Sequence, residues 1–494
     1  MLVQWGKCKV KENIVMSTIS TDTFWADTFA GATGPKYRAV VDRIRRGIRA
    51  GQLAEGEKLP PVRELAYQLQ ITPGTVARAY KILTDEGVLQ AEVGRGTFVA
   101  PQGATLEDIA ECEPELGYEI SPHNNEAGDG YHVNLFSPHL PNVGQPGLIR
   151  ELMGQVLQNP PSGLMHYPSR EAARDAREAA ARWLSNNGVG RLRESDVVFA
   201  NGGQNALTLV LQTVLRGRRP IVLVEELSYP GFRRAAELLR AEVVPVAMDG
   251  EGVIPEALEA AARQNDAQVL CTSPEAHNPT MTFTTQARRR ALVDVARRCD
   301  FQILEDNCYQ TSETSGPGYR LLAPERGWYV SSISKSITPS LRVGFALGPR
   351  DRMVHLRRAS EHGFFGLATL LTDLMAQLLV DPRLDALTDR INGVVRDYVQ
   401  CAVNVLGGYQ LAWRADVPFL WLQLPMGWRT GAFVQAAEAQ GVRLRSAEDF
   451  VQRNSRAPHA VRLAINAGVP LETFERALQR LRVLLDSPPE LIAV

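Results

Sequence analysis

The chain reads as an α/β protein in two parts, a small helical unit with a hairpin in front and a large body on a mainly parallel sheet behind. Three observations predict this. From about residue 131, short apolar runs alternate with helical stretches, the pattern of a sheet covered on both faces. Residues 36–100 carry three helical patterns and then a two-stranded one. Between these parts, residues 101–130 hold eight acidic residues, no Lys or Arg, and Pro101, Pro114 and Pro122, the composition of a linker.

A length of 494 residues suits more than one domain. The net charge of −1 excludes a global basic field, so any nucleic-acid contact must come from a local patch. Cys8, Cys112, Cys271, Cys299, Cys308 and Cys401 show no CxxC spacing and read as free thiols in a reducing cytoplasm, with no metal site. No apolar run approaches membrane-spanning length and the N-terminus lacks a signal-peptide core, so a cytoplasmic protein without membrane contact is expected.

Residues 1–35 form an N-terminal extension with no clear period; Met16 is an alternative start to Met1, and Trp25 and Phe29 receive no role. In 36–100, Tyr37, Val40, Val41, Ile44 and Ile48 lie at helical spacing, with arginines on the remaining surface. Leu59-Pro60-Pro61-Val62 opens a second helix. Thr72, a natural N-cap, and Pro73, a natural first residue, open a third, which Gly87 stops. Val88–Ala91, a turn at Gly94-Arg95-Gly96, and Thr97–Val99 form a hairpin wing. This is a winged helix-turn-helix, whose third helix fits the major groove while the wing approaches the backbone. Eleven Lys/Arg against seven Asp/Glu in 36–99 favour phosphate contact.

The unit resembles the GntR family through Leu59-Pro60-x-x-Arg63-Glu64-Leu65-Ala66, Thr75-Val76-x-Arg78-Ala79-Tyr80, Glu86-Gly87-x-Leu89 and Gly94–Val99. The resemblance implies that Arg63, Thr72, Thr75, Arg95 and Gly96 contact double-stranded DNA. The sequence departs from the family at Pro73-Gly74, where arginine and a polar residue are common.

In the body, candidate strands are Val197–Ala200, Ile221–Glu226, Val243–Met248, Val269–Ser273, Gln302–Asp306, Tyr329–Ser334 and Val343–Leu347. Helical stretches lie at Asn205–Leu215, Phe232–Arg240, Pro255–Arg263 and Gln286–Cys299. A ligand then belongs at the loops beyond strand ends. Lys335 ends a run that looks buried and sits among Ser332, Ser334 and Ser336. A desolvated lysine loses its proton more easily and can attack an aldehyde. Arg342 could clamp a phosphate, and Gly202-Gly203-Gln204 could offer backbone N–H groups to one, or be an ordinary tight turn. Tyr229 could stack on a planar ring or be a core residue. Asn278 can donate to a phenolate oxygen, and Tyr309 could reach the same atom. Asp306, at a strand end, could pair with a pyridinium N–H or cap a helix, and Arg462 could bind a carboxylate or form a surface ion pair.

The order Gly-Gly-Gln, Tyr-Pro, Asn-Pro, Asp-x-x-Tyr, Ser-x-Ser-Lys, Arg and a late Arg resembles the fold-type I aminotransferases over residues 131–485. The resemblance implies a pyridoxal 5′-phosphate (PLP) cofactor, a large α/β domain and a small C-terminal α+β part, all within 131–494. It implies that Lys335 forms the Schiff base, Asp306 meets the pyridine nitrogen, and Asn278 and Tyr309 meet the phenolate oxygen. Tyr229 would stack on the ring, and Gly203, Gln204, Ser332 and Arg342 would hold the phosphate. Tyr167 would reach it from a partner subunit, and Arg462 would take an amino-acid carboxylate. The sequence departs at Met281, where glycine is usual, and at Pro168-Ser169-Arg170-Glu171 after Tyr167.

A GntR-type reader joined to such a domain resembles the MocR subfamily of transcription regulators. The resemblance implies a homodimer, often head-to-tail, that binds an operator and senses PLP or an amino compound forming an aldimine with it, rather than a working enzyme. The alternative is an active PLP-dependent aminotransferase with an accessory DNA-binding domain.

Overall fold

The structure, a computed structural model, describes residues 22–25, 28–29, 35–54, 56–85, 88–92, 96–100, 132–158, 165–309, 316–452 and 455–487. Met1, Met16, Glu86, Gly87, Arg95 and the linker 101–130 lie outside them. The chain divides into two compact units, Met1–Ile120 and Ser121–Val494.

In the first unit a short helix, α1 (Asp22–Trp25), precedes α2 (Lys36–Arg49), α3 (Val62–Gln68) and α4 (Pro73–Asp85). The helical spacing does what it predicts: Val40, Val41, Ile44 and Ile48 are buried against Leu65, Val76, Ala79 and Leu83. Tyr80 joins them and donates its hydroxyl to the Pro60 carbonyl at 2.8 Å, tying α4 to the entry of α3. Burial pushes its phenol pKa well up. The wing pairs β1 (Leu89–Glu92) with β2 (Gly96–Val99) in antiparallel register, Leu89 opposite Val99. Lys58 forms an isolated antiparallel bridge to Phe98 beside the hairpin. Trp25, given no role by the sequence, is buried in this same core. Arg43 fixes the segment by donating Nε to the Phe24 carbonyl at 2.8 Å, with its guanidinium 4.2 Å from the Phe24 ring centroid. An aromatic pair without periodicity carries no helical signal, although it completes the core.

The second unit is built on a seven-stranded sheet. Its strands are β3 (Val198–Ala200), β4 (Ile221–Glu225), β5 (Glu242–Val246), β6 (Val269–Thr272), β7 (Gln302–Asp306), β8 (Gly327–Ser332) and β9 (Gly344–Leu347), in spatial order β3-β9-β8-β7-β6-β4-β5. All neighbours pair in parallel except β9, which is antiparallel to β8 and β3. The reason lies in the connections. Helices cross between most strands, including Pro255–Asn265 and Gln286–Cys299, whereas β8 returns to β9 through a short segment without a crossover helix. The strands are continuous apolar runs because both faces are covered: β6, β8 and β9 are buried at every position.

The expected strand Tyr329–Ser334 instead starts at Gly327 and stops at Ser332, where the 3-10 turn Ile333–Lys335 leaves the sheet. Ile333 is buried as the anchor of that turn, so Lys335 sits beyond the strand end. Helix α5 (Gly202–Val214) starts before the expected Asn205, which makes Gly202 and Gly203 its first turn. A smaller antiparallel sheet has the order β10-β11-β13-β12, from β10 (Leu411–Ala412), β11 (Phe419–Gln423), β12 (Arg445–Ser446) and β13 (Ala460–Ala464). No helix among the described residues is long and apolar enough to cross a membrane.

Candidate functional site

Strands β3, β4, β6, β7 and β8 all point the same way, so their C-terminal loops meet at one edge of the large sheet. These loops carry Gly202-Gly203, Tyr229, Asn278, Tyr309 and Lys335.

The cradle comes first. Gly202 adopts φ +81, and a Cβ there would fall 2.6 Å from the Arg342 guanidinium. Glycine is therefore required both by its backbone and by the close approach of Arg342. Arg342 itself holds φ +51, a conformation that costs a non-glycine residue about 1–2 kcal/mol. A Cβ at Gly203 would sit 2.6 Å from Cys308 Sγ and 3.7 Å from Ser332 Oγ. The first N–H groups of α5, Arg342 and Ser332 thus converge in a form suited to a phosphate. The Gln204 N–H belongs to the same first turn of α5, while its side chain has a separate task. Its side chain donates to the Gly231 carbonyl at 2.8 Å and lies 3.1 Å from the Tyr229 hydroxyl, so it positions Tyr229.

Lys335 lines this site. Burial, then the positive charges of Arg462, Arg342 and Arg445, lower its pKa to about 8. Asp306 lies at the end of β7 and accepts from the Cys308 N–H at 3.0 Å. Burial raises its pKa, against the lowering effect of the Cys308 hydrogen bonds, and Glu225 adds repulsion. Behind it, His277 Nε2 approaches Glu225 Oε2 at 3.3 Å, with both side chains buried. Asn278 Oδ1 accepts from Arg462 Nη1 at 2.9 Å, while Arg462 Nη2 donates to the Phe136 carbonyl. Arg462 Nε is buried with no hydrogen-bond partner among the described residues. Burial lowers the Arg462 pKa to about 10. Tyr309 stands edge-on to Phe419, 5.0 Å between ring centroids, and burial raises its pKa.

Tyr167 is exposed and stacks on Phe365 at 5.4 Å. Met281, where glycine was expected, takes φ +68 and is buried against Ala276, Val417 and Phe419, so the loop keeps its left-handed turn at a side chain's expense. Residues that the sequence did not point to are Cys308, Glu225, His277 as a buried partner, and Arg445. No spacing signal marks them, because strands far apart in the chain bring them together.

On the first unit, Arg63 and Thr72 are exposed and Thr75 is half-buried. The Thr72 and Thr75 hydroxyls lie 2.9 Å apart at the start of α4. Gly74 faces open space. A Cβ on Gly96 would strike the Lys58 stem at 2.7 Å, which places this lysine over the start of β2. Arg78 lies 4.2 Å from the Tyr37 ring centroid. Among the described residues no group of acidic, histidine or cysteine side chains could hold a metal ion.

Two folds with these features on one chain define a DNA-binding regulator carrying an aminotransferase-type domain. The chain belongs to the family described as aminotransferase class I and II, matched over residues 148–481, and residues 36–99 match the bacterial regulatory proteins of the gntR family. It is an HTH-type transcription regulator of the kind that joins the two, consistent with the MocR type. It is 29% identical over 476 residues to the uncharacterized HTH-type transcriptional regulator YdeF of Bacillus subtilis, covering 94% of this chain and 97% of that one. It is 30% identical to the vitamin B6 salvage pathway transcriptional repressor PtsJ of Salmonella typhimurium, over 71% of this chain and 76% of that one. Among solved structures, the kynurenine aminotransferase of Pyrococcus horikoshii, crystallised with PMP, superposes with a TM-score of 0.65 at 20% identity, covering 78% of this chain and all of that one. Membership of the aminotransferase family implies PLP dependence, and the gntR-family unit implies DNA binding.

The residues present fit PLP. The cradle of Gly202, Gly203 and Arg342 brings helix N–H groups and a guanidinium together for a phosphate, and Asp306 forms no ion pair among the described residues. The Ser334 and Ser336 hydroxyls beside Lys335 are buried with no partner among the described residues.

Proposed function

We propose that this protein is a PLP-dependent repressor or activator whose large domain senses PLP, or an amino compound that reacts with it, and whose winged helix-turn-helix carries the response to an operator. The observation that carries the reading is Lys335. It leaves β8 at the edge where the phosphate cradle, Asp306 and the Asn278–Arg462 pair also meet.

PLP would supply an aldehyde for an amine to attack and a ring that withdraws electrons. Gly203, Ser332 and Arg342 would hold its phosphate. Asp306 would offer its carboxylate to the ring nitrogen, Asn278 and Tyr309 would face the phenolate oxygen, and Tyr229 would cover the ring. With a pKa of about 8, roughly a tenth of Lys335 is neutral at pH 7, whereas an ordinary lysine is neutral well under one time in a thousand. The amine would replace Lys335 and leave it free to hold a proton, and Arg462 would orient the incoming carboxylate. Tyr167 would complete the site from the partner subunit of a head-to-tail homodimer. Release of Lys335 would then shift closure of the domain and the spacing of the two readers.

Arg63, Thr72, Thr75 and Gly96, with Arg95, would meet the DNA. Binding of the purified protein to DNA upstream of its own gene, with and without PLP, tests the reading. Specific binding that changes with PLP or an amine is expected; specific binding indifferent to both refutes sensing. The intact set of Lys335, Asp306 and Arg462 favours one second reading, a working aminotransferase. Amino-group exchange between amino acids and 2-oxo acids at a steady rate, with no specific DNA binding, would establish it instead.

A further inference from the structure

A short segment of the second unit borders Arg462 and also an open cavity. Phe450 is buried, with its ring centroid 5.2 Å from the Arg462 guanidinium. Its carbonyl accepts from the Ser228 N–H at 2.9 Å, one residue before Tyr229. Val451 bridges to Leu227, and its carbonyl accepts from Arg233 Nη1 at 3.0 Å. Gln452 Nε2 donates to Ser228 Oγ at 3.3 Å. Val451, Gln452 and Arg233 also line the cavity, whose volume is about 920 Å³. None of the residues assigned to PLP or to the amine lines it.

The walls of this cavity are cationic. Arg233, Arg429, Arg456 and His459 meet there, three guanidiniums and an imidazole, against one carboxylate, Glu448. The side chains of Arg429, Arg456 and His459 form no hydrogen bond or ion pair among the described residues. Asp449, the next acid in the chain, feels Arg445, Arg462 and Arg234 more strongly than Arg233 and does not line the cavity. These cations come from separate stretches of chain: the helix Pro230–Leu238, the residue before the helix Thr430–Ala439, and the loop that leads into β13. They are gathered by the fold, and are no charged run of one surface helix. A cleft lined by one sign of charge concentrates its counter-ion. Its size suits a small molecule, for which pockets run to roughly 300–1,000 Å³, better than a lone ion.

We propose that this cavity binds a small polyanion, a molecule with two or more phosphate or carboxylate groups, held by Arg233, Arg429 and Arg456. The site is separate from the PLP cradle and does not depend on the amine reading.

The test titrates pyrophosphate and citrate by calorimetry into the full-length PLP-loaded protein, with sodium chloride at matched ionic strength as the control. Saturable binding of at least one probe is expected. Arg429→Gln and Arg456→Gln should each weaken it about threefold to fivefold, and the double variant about tenfold or more. Glu448→Gln should tighten it about threefold, a gain that a damaged fold would not give. Arg63→Ala, which removes an exposed cation of the reader, should change it less than twofold. Thermal melting and the cofactor band check that each variant is folded and loaded. No saturable heat from either probe, the same heat from sodium chloride, or undiminished binding in the double variant would each overturn the site. A loss in Arg63→Ala as large as in the cavity variants would also overturn it, by placing the anions on the reader.

Discussion

The two units use positive charge in opposite ways. On the helix-turn-helix, Arg63 and Arg78 stand in solvent, and Lys58 lies over a wing strand. In the large unit, Arg462 and Arg445 are buried and Lys335 is half-buried near them. Charge in water is screened and interchangeable, so a surface of this kind gains affinity by adding small contributions. Charge in a dry site is costly and must be matched atom by atom, so each residue there has a separate task. Substitutions in the large unit should therefore act singly and strongly, and those on the reader weakly and additively.

The largest expected effect is at Lys335. Lys335→Ala should abolish a borohydride-fixable bond to PLP while the protein still melts cooperatively. Mass spectrometry after reduction reads the outcome. A variant that still traps the cofactor covalently would place the bond elsewhere and remove the main contrast between the units.

Met281 comes next, because it tests whether the site is held by packing. Met281→Gly would relieve a left-handed residue, a gain of about 1–2 kcal/mol. It would also delete a buried side chain resting on Val417 and Phe419, a loss of about 2–5 kcal/mol. The sum predicts destabilisation by up to about 4 kcal/mol, centred near about 2, in denaturant unfolding. A stabilised variant would show that strain in this loop outweighs its packing.

The third effect depends on pH. The folded pKa of Lys335 is depressed, so its neutral fraction rises as pH passes through about 8. The rate at which cofactor-free protein takes up PLP should climb roughly tenfold between pH 7 and pH 9 and then level off. An ordinary lysine would keep climbing towards pH 10.5, and a continued rise would show that Lys335 is not desolvated.

Much of this site was legible in the sequence because a mainly parallel sheet places function in the loops after its strands. Gly203, Asn278, Asp306 and Lys335 each follow or end an apolar run, and the sheet order brings the runs to one edge. What the sequence left unread depends on contacts between distant segments. Phe136 and Arg462 are 326 positions apart, and Arg445 meets Arg462 only through the pairing of β12 with β13. Gln204 shows a different limit. Its position after two glycines predicts that its N–H meets a phosphate, but not that its side-chain amide turns towards Gly231 and Tyr229. A side chain's direction follows from its neighbours, which no spacing encodes. In the first unit, the amphipathic helices declare their core, while Trp25 completes it from outside any period.

The smallest effects belong to the reader, and they bear most directly on additivity. Each phosphate contact removed should lower the slope of log affinity against log salt by about 0.9. Arg63→Ala is expected to do so, and Lys58→Ala also, since that lysine stem lies against Gly96 at the start of β2. Each should weaken operator binding only severalfold at low salt and less at high salt, where screening has already taken most of the contribution. The double variant should show the sum of the two slope changes, because these side chains stand in solvent and share no buried partner. PLP uptake at Lys335, measured in the same salt series, should fall much less steeply, since partly buried charges are less screened. If Arg63→Ala left the slope unchanged, Arg63 would be an ordinary solvated arginine. If uptake at Lys335 fell as steeply with salt as DNA binding does, the large unit would be using its charge as a surface does, and the division between the two units would fail.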